Sequence, residues 1–198
     1  IALEGALRVV GYGYDTSLVV KDLSGEYFHE NDKFLWRFHS PKTKLQPHPF
    51  LARAQKEPGA LRVIVLGESA ALGTPEPAYG FWRMLDHQLR RDFPGKKIEV
   101  INCAMRGINS HVILPIAKEC VRLQPDLFVI YAGNNEIVGL HAPEKDSHLT
   151  SLSVFRAIDW CKGTRCGQLF LDATSSWIKT AAEPDQDMAF FQIGRAHV

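Results

Sequence analysis

Three apolar runs limit what this chain can fold into more than any other feature. They are L-R-V-I-V-L (61–66), I-E-V-I (98–101) and L-F-V-I-Y-A (127–132), each of strand length and each stopping at a polar, glycine-containing stretch: G-E-S, N-C-A-M-R-G and G-N-N-E. Between the first two, apolar residues at 81, 82, 85 and 89 form a helical stripe that Pro94-Gly95 ends. Between the second and third, Ser110 is expected to cap a helix with apolar positions 112, 113, 116, 117, 120 and 121. Pro115 is tolerated there because it falls in the first turns. Strand, helix, strand, helix, strand with short connections predicts an α/β domain with a parallel sheet and right-handed crossovers. In such open sheets the site lies at the carboxyl ends of the strands. Any one polar, glycine-bearing loop is ordinary turn chemistry; the convergence of three is the signal.

The remaining residues narrow the function by exclusion. The formal net charge is +1 with both signs interspersed, so nothing favours a nucleic-acid partner. Gly67 to Gly73 lacks a P-loop lysine and no G-x-G-x-x-G follows a strand, which counts against phosphate binding. Cys103, Cys120, Cys161 and Cys166 have neither the spacing nor the histidine company of a zinc site. No metal and no cofactor are expected. Cys103 and Cys120 fall in apolar segments and read as buried thiols, whereas Cys161 and Cys166 fit a disulfide in an oxidising compartment and two free thiols equally.

The first 60 residues mix aromatics, prolines and polar residues, as in F-L-W-R-F-H-S-P-K and Q-P-H-P-F. We read residues 1–60 as an extended lead-in that packs its aromatics on the domain, with Trp36 and Phe38 alternating against Arg37 and His39 as in a half-buried strand. The start, I-A-L-E-G-A-L-R-V-V-G, is too short and too charged to span a bilayer, which takes about 20 apolar residues. It fits the exit end of a longer membrane anchor or a short amphipathic helix. Residues 153–161 and 168–180 read as two amphipathic helices anchored by Trp160 and Trp177, and Asp185-Gln186-Asp187 as a solvated turn. I-G-R-A-H-V, residues 193–198, matches the translation of a common sequencing adapter and is set aside.

Together the three strand ends resemble blocks I, II and III of the SGNH, or GDSL, hydrolases, a family of esterases and lipases. Block I puts the nucleophilic serine after the first strand, here Ser69 in Gly67-Glu68-Ser69; block II supplies Gly107, opened by Asn102; block III, G-x-N-D in the family, is Gly133-Asn134-Asn135-Glu136. G-E-S-A-A-L-G, A-Y-G-F, I-N-S-H and G-N-N-E-I-V-G further resemble a subgroup attached to tetratricopeptide repeats in large bacterial proteins. The resemblance covers 61–136 and implies a flavodoxin-like three-layer sandwich over 61–192, incomplete at the C-terminus. It implies Ser69 as nucleophile, with the Ser69 N–H, the Gly107 N–H and the Asn135 amide as oxyanion donors. The implied partner is a small-molecule, carbohydrate or lipid ester, in a bacterial, membrane-anchored setting.

Two residues depart from the family pattern: Glu68 and Glu136 each stand where aspartate is usual, keeping the carboxylate on a longer arm. With Asn102 they are read as loop-ordering residues behind the site. The family's D-x-x-H, source of the catalytic base, is absent; Asp146-Ser147-His148 is one residue short, Asp86-His87 lies in the first helix, and Glu26 to His29 precedes the serine. His111 and His141 follow blocks II and III and read as rim or capping histidines. The expectation is therefore that the motif lies beyond the C-terminal end and that this chain alone is nearly inert, since losing the base costs about 10⁶ in rate. An O-acyltransferase, with a sugar hydroxyl in place of water, and a noncatalytic glycan- or partner-binding module are the alternatives.

Overall fold

The computed structural model describes residues 2–136 and 152–178. Helix α1 (Ala2–Val9) leads into a small antiparallel sheet of three short strands, β1 (Val19–Lys21), β2 (Tyr27–Glu30) and β3 (Leu51–Arg53), in the order β1-β2-β3. Then follow β4 (Leu61–Gly67), α2 (Ser69–Leu72), α3 (Phe81–Asp92), β5 (Ile98–Asn102), α4 (Ser110–Cys120) and β6 (Leu127–Tyr131). Strands β5 and β6 pair in parallel with β4 on either side, giving the order β5-β4-β6. This is the α/β arrangement that the apolar runs predict. Helices α5 (Leu152–Gly163) and α6 (Arg165–Ile178) close the described chain.

Side chains alternate along β4, and its even-numbered residues face the main core. Ile64 and Leu66 pack there with Ile101 of β5, with Val112, Ile113 and Ile116 of α4, and with Leu18, Phe28, Phe34, Leu35 and Phe38 of the lead-in. The lead-in is thus part of the core rather than a cover over it. On the opposite face α3 packs along β5 but buries none of its own residues completely. Among the described residues β6 forms an outer edge, with Leu127, Ile130 and Tyr131 exposed.

Buried polar groups tie the start of the sheet together. Arg62, fully buried on the core face, donates from Nε to Glu99 Oε2 at 2.6 Å, from Nη1 to the Leu123 carbonyl and from Nη2 to the Arg53 carbonyl. An unpaired charge in that position would be costly; three acceptors drawn from three segments offset its desolvation.

Several expectations change. Residues 34–37 form a 3-10 turn, not a strand, because Phe34 and Phe38 lie one turn apart and stack edge to face at 5.5 Å inside the core. Ser110 does not cap α4: Asn109 takes the N-cap position in extended conformation, and Ser110 is the first helical residue. Trp160 is 67% exposed on α5 rather than a buried anchor; the Trp177 side chain lies outside the described residues. Arg37 does the anchoring, through a two-pronged contact from Nε and Nη2 to Asp159 of α5. Cys161 and Cys166 are free thiols, as are Cys103 and Cys120, which are buried as expected. The mutual contact of the last two, with burial, pushes the Cys103 thiol well above its ordinary range. Asp146, His148, His141 and residues 185–187 lie outside the described residues, and among those described no helix is long and apolar enough to cross a membrane.

Candidate active site

Strand β4 ends at Gly67, whose φ is 153°. A Cβ there would collide with the Tyr131 carbonyl oxygen and the Ala71 Cβ, so the neighbouring strand and the helix that follows approach too closely for any side chain. Glu68 then stays extended and Ser69 opens α2 as its first helical residue, half-buried at the carboxyl edge of the sheet. The abrupt strand-to-helix turn that G-E-S implies is therefore enforced by the packing of β6 against β4.

Glu68 turns inward and is fully buried. Its Oε1 accepts from the Gly133 N–H at 3.1 Å and its Oε2 from the Asn135 N–H at 3.0 Å, so one carboxylate holds the loop after β6 at two points. Asn135, also buried, donates from Nδ2 to the Ile108 carbonyl at 2.8 Å. That bond reaches the loop after β5, where Gly107 turns with φ of 68° beside Ile108. Glu136 completes the tie by accepting from both the N–H and the Oγ of Ser110, each at 2.8 Å. A carboxylate here satisfies one of the otherwise orphaned donors at the start of α4. Asn102 orders its own loop, its Oδ1 accepting from the Ala104 N–H at 3.1 Å.

The loop after β5 is drawn along the end of β4 by the bonds from Cys103 N to Val65 O and from Met105 N to Gly67 O, 2.8 and 3.0 Å. The six sequence-selected residues, Ser69, Gly107, Asn135, Glu68, Glu136 and Asn102, thus fall at or just beyond the carboxyl ends of β4, β5 and β6, at one end of the sheet. The bonds between them link the Ser69 turn to Asn135 through Glu68, and Asn135 to the Gly107 turn through Ile108.

The lead-in supplies a wall that the sequence does not announce. Leu45 and His39 lie closest to Gly107, so that a Cβ at that position would rest 3.5 Å from Leu45 Cδ1 and 3.7 Å from His39 Cε1. His48 stands edge-on to Trp82 of α3 at 6.0 Å. Burial pushes its pKa down, and the charge of Arg106 adds to that effect while Glu30 opposes it. Arg106 is exposed, held by Nε to Thr74 Oγ1 and by Nη2 to the Pro75 carbonyl, both at 3.2 Å. Thr74 in turn donates its N–H to the Ser69 carbonyl at 2.9 Å. Only the adjacency of Arg106 to Gly107 was legible in sequence; its fixation by the loop after α2 was not. A cavity of about 250 Å³ lies apart from these residues, between β3 and the outer edge of β5, lined by Tyr27, Leu51, Arg53 and Arg90 among others.

No family model matches the chain and no curated protein matches it. Among solved structures it is similar to one described as "Crystal Structure of TesA", with 21% sequence identity and a TM-score of 0.36 over 52% of this chain and 56% of that one. The chain thus spans little more than half the length of that structure.

Proposed function

We propose that these loops are the nucleophile and oxyanion elements of a serine ester hydrolase of the SGNH type, built on a flavodoxin-like three-layer sandwich. Ser69 Oγ attacks the acyl carbonyl of an ester, the alcohol leaves, and water releases the acid from the acyl-enzyme. The oxyanion is met by the Ser69 N–H, the Gly107 N–H and the second hydrogen of the Asn135 amide. One such donor typically contributes about 3 to 4 kcal/mol of transition-state stabilisation. The general base comes from outside the described residues.

The observation that carries this reading is the continuous hydrogen-bonded path from Glu68 beside Ser69, through Asn135, to Ile108 beside Gly107. It spans the three residues that the chemistry requires and spends two buried side chains on holding them together. Such preorganisation is what oxyanion stabilisation demands. The inward bond from Asn135 to Ile108 also favours a second reading, a noncatalytic module that keeps the pocket and binds a glycan or a partner, because it takes one of the two amide hydrogens.

A fluorophosphonate probe separates the two. We expect labelling of the gene product read on past Gln192, its loss in Ser69→Ala, and little labelling of the present chain. A folded, longer protein that takes no label sinks the hydrolase reading and leaves the binding module.

A further inference from the structure

We propose that Arg106 selects the substrate of this site, favouring esters that carry an anionic group near the scissile bond; the inference rests on the reading of Ser69 as the nucleophile. Arg106 is the exposed residue before Gly107. Its position is fixed rather than swept by a free side chain, since Nε and Nη2 donate to Thr74 Oγ1 and the Pro75 carbonyl. Thr74 is itself bonded to the Ser69 carbonyl. Two hydrogen bonds therefore separate the guanidinium from the backbone of the nucleophile.

Its charge is not spent. Of the other exposed arginines, Arg8, Arg53, Arg90, Arg91 and Arg122 lie against a carboxylate, whereas Arg83 rests on the Trp82 ring and Arg156 forms no ion pair among the described residues. The acceptors of Arg106 are two neutral oxygens, and among the described residues it forms no ion pair. An exposed arginine needs no such fixing for solubility alone. Here the Nη1–Nη2 edge remains for a ligand, in the planar fork that matches a carboxylate or a phosphate. The adjoining wall strengthens the case. His48 and Trp82 present an imidazole and an indole on that side, and among the described residues no carboxylate pairs with the guanidinium. A substrate whose acyl chain or alcohol ends in an anion would place that group on Arg106 and its carbonyl between Ser69 and Gly107.

The test uses Ser69→Ala, which cannot turn substrate over through that hydroxyl, and two probes of equal chain length, monomethyl adipate with one negative charge and neutral dimethyl adipate. Calorimetric titration at low ionic strength is expected to show the monoester binding about tenfold more tightly. Arg106→Gln is expected to erase that preference, and Arg106→Lys to keep part of it, having the charge without the fork. Arg91→Gln, on the far end of α3, is expected to keep all of it. Equal affinities for the two probes, no measurable monoester binding, or a preference that survives Arg106→Gln overturns the proposal. Methanol release from the same esters by the longer gene product tests the hydrolase reading separately. An Arg106-dependent preference without any Ser69-dependent methanol release removes that reading and leaves the anion subsite standing.

Discussion

On the α4 face of the parallel sheet, Ile64, Leu66 and Ile101 lie under two layers of apolar side chains, from α4 and from a lead-in more than 20 residues upstream. On the other face, Val63 and Val65 are buried, yet α3, which packs along the neighbouring β5, has Trp82, Leu85 and Leu89 only half-buried and Met84 exposed. The sheet therefore has a dense core on one side and, along β5, a loosely seated helix on the other. The reason is compositional. Residues 34–38 deliver three large buried apolar side chains within one turn, while α3 carries Arg83, Asp86, His87, Arg90 and Arg91 among its twelve residues. The candidate site lies where the two regimes meet, so its loops are ordered by buried polar contacts more than by packing.

The sharpest way to break this comparison is a matched pair of truncations. Leu66→Ala opens a cavity between α4 and the lead-in, where neighbours from several segments cannot all collapse, and is expected to cost about 3 to 5 kcal/mol. Leu85→Ala removes a half-buried side chain beside solvent and is expected to cost about 1 kcal/mol. Urea unfolding of both variants measures the difference. Similar losses would mean that α3 is seated more firmly than its exposure indicates.

How much of this was readable beforehand follows the same division. The strands β4, β5 and β6 and the helices α3 and α4 were legible because each is a run long enough for its period to show. The lead-in was not, because strands of three and four residues carry no usable periodicity, and F-L-W-R-F-H satisfies an alternating pattern and a one-turn pattern at once. Ser69, Gly107 and Asn135 could be picked out by their places after strands. The partner of Ser110 could not, since Glu136 is 26 residues away and reaches it through the fold. Arg106 was overlooked for a similar reason: the oxygens that fix it belong to a loop more than 30 residues earlier. Local spacing finds the groups that would react; the groups that hold them are defined by tertiary contact.

A second test addresses the polar latch itself. Removing the Glu68 carboxylate by Glu68→Ala leaves the Gly133 and Asn135 N–H groups without their acceptor, the latter in a buried position. Orphaned buried donors of this kind typically cost about 1 to 3 kcal/mol each, so a loss of about 2 kcal/mol is expected. The effect should also be local. Amide exchange is expected to accelerate at Gly133, Asn135 and the end of β6, while β5, held by register and by the α4 core, stays protected. Equal acceleration in β5 and β6 would show that packing and latch are one cooperative unit, and the contrast between the two regimes would fail.

The smallest effect lies at the outer margin of the dense side, where α1 docks on α6. Glu4 of α1 accepts from the Cys166 N–H at 2.9 Å and from the Arg165 N–H at 3.2 Å, satisfying the first donors of α6 from another helix. Those bonds, the Cys166 one foremost and the Arg8 guanidinium after them, hold its carboxyl down from 4.5 to about 2. A carboxyl depressed on folding stabilises the docked state above its unfolded pKa and loses that contribution as the pH falls through its folded one. The window here runs from about 4.5 down to about 2. Because Glu4 lies at the surface, solvent and salt screen the contact and the change in global stability is small. It is best read locally, from the amide proton of Cys166, whose chemical shift is expected to titrate with a midpoint near 2 and to lose that titration in Glu4→Gln. A midpoint near 4.5 would mean that α1 leaves α6 in solution. The dense side would then end at the pairing of Arg37 with Asp159 and at the bonds of Tyr14 to Gln168.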